Sequence, residues 1–136
     1  MWCWFQLLYQ RRIFELICTL ARDSGADLHV WNGIEILSEE PEYSRIIESL
    51  EWLGGCAPGT RGLVCQHLKM IACFPKGDST VFPAIGKSLV NSRELGCLDV
   101  SQLAHRLAGM ARYIGQCKQT NRYKTYRFTD FPIFGS

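Results

Sequence analysis

The chain has 136 residues, 47% of them hydrophobic, and a formal net charge of +2. That length suits one compact domain able to bury a core without disulfide or metal staples, and that hydrophobic content excludes a largely disordered chain. The total charge excludes little, but its distribution is uneven: residues 23–51 carry eight acids (Asp23, Asp27, Glu35, Glu39, Glu40, Glu42, Glu48, Glu51) against the single base Arg45, whereas residues 101–136 carry six bases (Arg106, Arg112, Lys118, Arg122, Lys124, Arg127) against the single acid Asp130. Such segregation bears on association rather than on fold.

The apolar run Trp2-Cys3-Trp4-Phe5-Gln6-Leu7-Leu8-Tyr9 precedes Arg11-Arg12. A signal peptide has its positive charge before the apolar run and ends at a small-residue cleavage site, and a spanning helix needs about 20 apolar residues. Neither pattern is present, so neither a signal peptide nor a transmembrane segment is expected. The abrupt apolar ends suit a segment of a larger chain as readily as a complete one. Seven cysteines at unpaired spacings, with no Asn-x-Ser/Thr acceptor, predict reduced, mostly buried thiols in a reducing intracellular compartment.

Apolar spacing predicts a first helix over residues 2–21, buried through Ile13, Phe14, Leu16, Ile17, Leu20 and Ala21, with Gln10, Arg11 and Glu15 on its polar face. Ser24-Gly25 stops it. Leu28–Trp31 and Ile34–Leu37 flank Asn32-Gly33, the pair that tolerates the positive φ angles of a type I′ turn, which predicts a β-hairpin over Leu28–Leu37. A helix is expected from Glu42 to Leu53, ended by Gly54-Gly55, then another from Arg61 to Phe74, capped by Thr60 and central because it is almost wholly apolar. Ser79–Phe82 reads as a short strand ended by Pro83, and residues 84–98 show no period.

Asp99 then caps a helix whose apolar face is Val100, Leu103, Ala104, Leu107, Ala111 and Ile114. Leu103–Met110 resembles the first helix and turn of a helix-turn-helix, but unbroken spacing through Gly109 predicts one continuous helix. Arg122–Phe128 mixes cations and rings in a strand-like run, followed by an apolar tail. The whole reads as a single compact α+β domain over residues 1–136, predominantly helical, with about four helices, the hairpin and one or two further short strands.

Several motifs fail on spacing. Gly86-Lys87-Ser88 has Val81 where a phosphate loop needs its first glycine. Cys56, Cys65, His67 and Cys73 form no zinc knuckle, and Cys65 and His67, two apart on a helix, point in different directions. No histidine is placed beside a cysteine as a base would need to be. No metal, cofactor or catalytic residue is therefore expected.

The surface with most chemistry is basic and aromatic: Arg106, Arg112, Lys118, Arg122, Tyr123, Lys124, Tyr126 and Arg127. Cations neutralise phosphates and tyrosine faces stack on unpaired bases, so a non-enzymatic nucleic-acid-binding protein of little sequence specificity is expected. The bland alternative is a strand whose rings pack inward and whose cations are solvated or paired with the acidic segment. A rival class is a structural, matrix-like accessory protein that binds itself or another protein through its separated charges. In that class Trp2, Trp4, Phe5, Arg11 and Arg12 offer a membrane-surface contact.

Overall fold

The computed structural model describes residues 2–128, with side chains from Trp4 onward. Trp2 as a side chain and the apolar tail after Phe128 therefore lie outside the described residues. The fold is α+β and predominantly helical, as its sequence predicts, but the strands form one mixed six-stranded sheet instead of a hairpin with one or two additions.

The central strand β3 (Met70–Phe74) is buried at every position. It runs parallel to β2 (Ile34–Ser38) on one side and to β5 (Lys87–Asn91) on the other. Next to β2, β1 (Asp27–Trp31) forms one edge. Next to β5 stands β4 (Thr80–Phe82), and the two-residue β6 (Tyr126–Arg127) forms the opposite edge, all three pairings antiparallel. Alternate strand residues feed two cores. Ile34, Ile36, Ile71, Cys73, Val81 and Val90 pack with α2 (Glu40–Cys56), α3 (Pro58–His67) and α5 (Val100–Thr120), while Leu37, Met70, Ala72, Phe74, Phe82 and Leu89 pack with α1 (Trp2–Asp23). The short α4 (Ser92–Cys97), capped by the Asn91 side chain, joins β5 to α5.

The hairpin turn has the expected positive φ angles at Asn32 (48°) and Gly33 (82°). Asp99 caps α5 through the Gln102 amide, and α5 runs unbroken through Gly109, so no helix-turn-helix forms. The expected helix over Arg61–Phe74 is half wrong. It starts at Pro58, ends at His67, and continues after Leu68-Lys69 as β3. A strand covered on both faces needs an apolar residue everywhere, so Met70–Phe74 carries no period that separates it from a buried helix. Residues 84–98, which have no period, contain β5 and α4. Glycine does not end α2 where expected, since the helix runs through Gly54-Gly55 to Cys56.

The faces of α1 also differ from expectation. Leu16 and Leu20, expected in the core, are exposed, whereas Gln10, expected on the polar face, is fully buried. The reason is its hydrogen bonds. Gln10 Nε2 donates to the Tyr123 carbonyl (2.6 Å) and Gln10 Oε1 accepts from the Ala84 amide (2.8 Å). One amide side chain thus ties α1 to both the β4–β5 turn and the C-terminal segment.

Gln10→Leu keeps the volume but removes the partners of the part-buried Tyr123 carbonyl and Ala84 N–H, at a cost of about 1 kcal/mol each. Urea unfolding should show a lower midpoint at unchanged slope; an unchanged midpoint would mean that the bridge carries no stability.

Candidate functional site

The basic-aromatic run is held mainly by side chains. Asn121 leaves α5 in the left-handed region (φ 56°), and residues 122–125 form no strand before β6 begins at Tyr126. Tyr113 donates from its hydroxyl to the Lys124 carbonyl (2.7 Å), and its ring lies 4.7 Å from that of Tyr126. Burial, then Cys117, pushes the Tyr113 phenol up, so it remains a donor. Phe128 is 1% exposed and closes the segment. Its amide donates to the Ser79 carbonyl (3.0 Å), and its own carbonyl accepts from Arg106 (2.9 Å), whose guanidinium lies 5.5 Å from the Phe128 ring centroid. Glu94, 3.9 Å from Arg106, also accepts from the Ser79 hydroxyl (2.9 Å).

This network sorts the eight residues singled out in the sequence. Arg106 is half-buried and turned inward as an anchor for Phe128. Arg127 pairs with Asp78 (3.5 Å), both well exposed. Tyr126 packs on Tyr113. Arg112 is exposed but lies six residues from Lys118, about 120° away around the helix at about 100° per residue. Lys118, Arg122 and Lys124 are exposed, with the half-buried Tyr123 among them. The ion pairs of Arg106 and Arg127 are with Glu94 and Asp78, so neither partner comes from the acidic segment of residues 23–51. Arg45, the one base of that segment, instead donates to the Leu98 carbonyl.

Among the described residues, three hollows flank the run. A shallow one of about 410 Å³ lies between Phe5, Gln6 and Tyr9 of α1 and Lys124-Thr125. A second, about 620 Å³, has an apolar floor of Ile13, Ile17, Phe74, Phe82 and Leu89 beneath Lys76, Lys124 and Arg127. The third, about 370 Å³, brings Lys118 and Tyr123 together with His67 and Lys69. Phe5 and Tyr9 expose 60% and 61% of their surfaces, so these rings are available beside Lys124. Nothing local in the chain joins Tyr9, His67 or Lys69 to the site. They come from α1, the end of α3 and the link to β3, and only the packing of those elements around residues 121–128 places them there.

Among the described side chains, which exclude that of Cys3, the thiols are less buried than expected: Cys56 and Cys97 are exposed, Cys18 and Cys65 half-buried, Cys73 and Cys117 buried, and all six are unpaired. Among the described residues no group of His, Cys, Asp or Glu could hold a metal, and no helix is long and apolar enough to cross a membrane. No family model, curated protein or solved structure matches the chain, so its functional reading rests on this geometry.

Two outcomes follow. Arg106→Ala should cost about 1–3 kcal/mol through the lost charged hydrogen bond and speed tryptic cleavage at Lys124 and Arg127; an unchanged cleavage rate would remove the anchoring role. With a thiol reagent at neutral pH, Cys56 and Cys97 should react first. Cys73, whose burial pushes its thiol far up, should react only on unfolding, as peptide mapping of the labelled chain would record.

Proposed function

We propose that this protein binds single-stranded nucleic acid with little sequence preference, along the surface formed by the C-terminal segment and the start of α1. The observation carrying this reading is the shared hollow in which the exposed rings of Phe5 and Tyr9 meet Lys124. Lys118, Arg122 and Tyr123 continue the surface on the other side of the segment. Lys118, Arg122 and Lys124 neutralise backbone phosphates, and Phe5, Tyr9 and Trp4 offer faces on which any unpaired base stacks. Arg106 is left out of the contact set because its guanidinium is engaged with Phe128. Arg112 contributes at most from another side of α5.

A second reading has its own support. Phe5, Tyr9, Leu16 and Leu20 recur along one exposed stripe of α1, with Arg11 and Arg12 also exposed, which is the pattern of a helix resting on an anionic membrane surface. The nucleic-acid reading is preferred because the cations nearest the rings belong to a different element, folded against them, and stand on both sides of a segment that a strand could follow.

Arg122→Glu with Lys124→Glu should abolish retention on an oligothymidylate column at low salt, and removal of one cation at a time should lower the salt slope of binding by about one phosphate contact. Tyr9→Ala should weaken binding by about five- to a hundredfold through the loss of one stacking face. Unchanged retention of the double charge reversal would overturn the reading; binding to anionic vesicles without binding to oligothymidylate would replace it with the membrane one.

A further inference from the structure

We infer that His67, Lys69 and Lys118 form a binding site for a phosphoryl group, with His67 taking up a proton when that group binds. The three side chains come from the end of α3, the link to β3 and the last turn of α5. Lys118 Nζ lies 3.2 Å from His67 Nδ1, and Lys69 lines the same groove. Among the described residues no carboxylate lines that groove, and Tyr123 is the one other titratable side chain; Leu7, Ile85 and Asn121 contribute to its walls. Its volume of about 370 Å³ is within the range of small-ligand sites, about 300–1,000 Å³.

Two glycines draw backbone up against this cluster. A Cβ at Gly115 of α5 would stand 2.9 Å from His67 Nε2, and one at Gly86 would stand 2.9 Å from the His67 carbonyl oxygen and 3.3 Å from Lys69 Cγ. Gly86 also has a positive φ of 64° and accepts from the Lys69 amide (2.7 Å). Lysines that were merely solvated at a helix end would need no such fit. At the two helix ends Leu68 N donates to Val64 O and Asn121 N and Arg122 N donate to Cys117 O, while Lys69 Nζ donates to Gln66 O (3.1 Å) and so caps α3 from the rim of the groove.

Partial burial first, then the charges of Lys118 and Lys69, hold the His67 pKa below the ordinary imidazole value. Neutral His67 can therefore accept from Lys118 through Nδ1. A phosphate between the two ammonium groups offsets the charge that depresses His67. Lys118 then turns from Nδ1 to the phosphate, and Nδ1 gains a proton and becomes a third donor. The imidazole pKa is thus lower in the free protein than in the complex. Binding takes up a proton between the two values, and affinity falls as pH rises through that interval.

This site shares Lys118 with the nucleic-acid surface and otherwise stands on different residues, so the two can fail separately. The test follows the His67 imidazole resonance by NMR across pH, with inorganic phosphate, with sulfate (whose charge is constant over the range), and with chloride at equal ionic strength. Phosphate and sulfate should each raise the His67 midpoint relative to chloride. Lys69→Gln with Lys118→Gln should abolish that shift and weaken phosphate binding by about tenfold or more. His67→Gln should retain sulfate binding but lose its pH dependence. Arg122→Glu with Lys124→Glu should leave the phosphate response intact while removing oligothymidylate retention. Tighter binding of a 5′-mononucleotide than of phosphate would identify the carrier as a nucleotide, and a His67 shift on vesicles containing phosphatidic acid would identify a lipid headgroup. A His67 midpoint that neither phosphate nor sulfate moves, or an equal shift in the double lysine variant, would overturn the site.

Discussion

Residues 122–125 have no ladder of their own, and the exposed basic surface depends on how that stretch is held. Backbone in this condition must find partners among side chains or water. Here Gln10 takes the Tyr123 carbonyl, Tyr113 takes the Lys124 carbonyl, and the Phe128 carbonyl goes to Arg106. Those three donors come from α1 and α5, which lie on opposite faces of the sheet. The segment is therefore pinned from both layers, and its exposed side chains stand at the seam between them. Arg122 and Lys124, two residues apart, are both exposed on either side of the half-buried Tyr123.

The separation of charge has a similar local logic. Glu39 and Glu42 complete a capping box at the start of α2, where carboxylates suit the free amides and the dipole, and Arg45 is tied to the link before α5. These groups are used where they arise and do not reach across to the basic run. Arg106 and Arg127 find Glu94 and Asp78 instead. Neutralisation is partial and local, which leaves the acidic and basic regions as distinct features of one surface and keeps their long-range fields available for steering a charged partner.

What the sequence disclosed, and what it concealed, follows from the range of the interactions concerned. The Asn32-Gly33 turn, the Asp99 cap and the apolar stripe of α5 are each fixed within a few residues, and each was legible. β3 was not, because a strand flanked by two parallel neighbours and two helical layers needs apolar residues throughout and has no alternation to display. Gln10 was misplaced for the converse reason: on a helical wheel it is polar, and only partners 74 and 113 residues away make its burial favourable. The candidate site was half legible. Its cations and tyrosines stand close together in the chain, but Tyr9, His67 and Lys69 join them only through tertiary packing, and nothing local to Arg106 signals that its guanidinium points inward.

Lysines near helix C-termini have an ordinary explanation, since a cation there gains about 0.3–1 kcal/mol from the aligned carbonyls. That explanation covers the presence of Lys118 in the last turn of α5 and of Lys69 just past α3. It does not cover their convergence. An exposed ammonium gains most from helix carbonyls while keeping its water, whereas Lys118 is aimed at an imidazole that a second lysine already disfavours as a cation. Close approach of the Gly115 backbone confines that imidazole, and Gly86 lies against the His67 carbonyl and Lys69 Cγ, where a larger residue would not fit. Among the described residues, positive groups that share a groove without a carboxylate repel one another, and an anion between them relieves that repulsion.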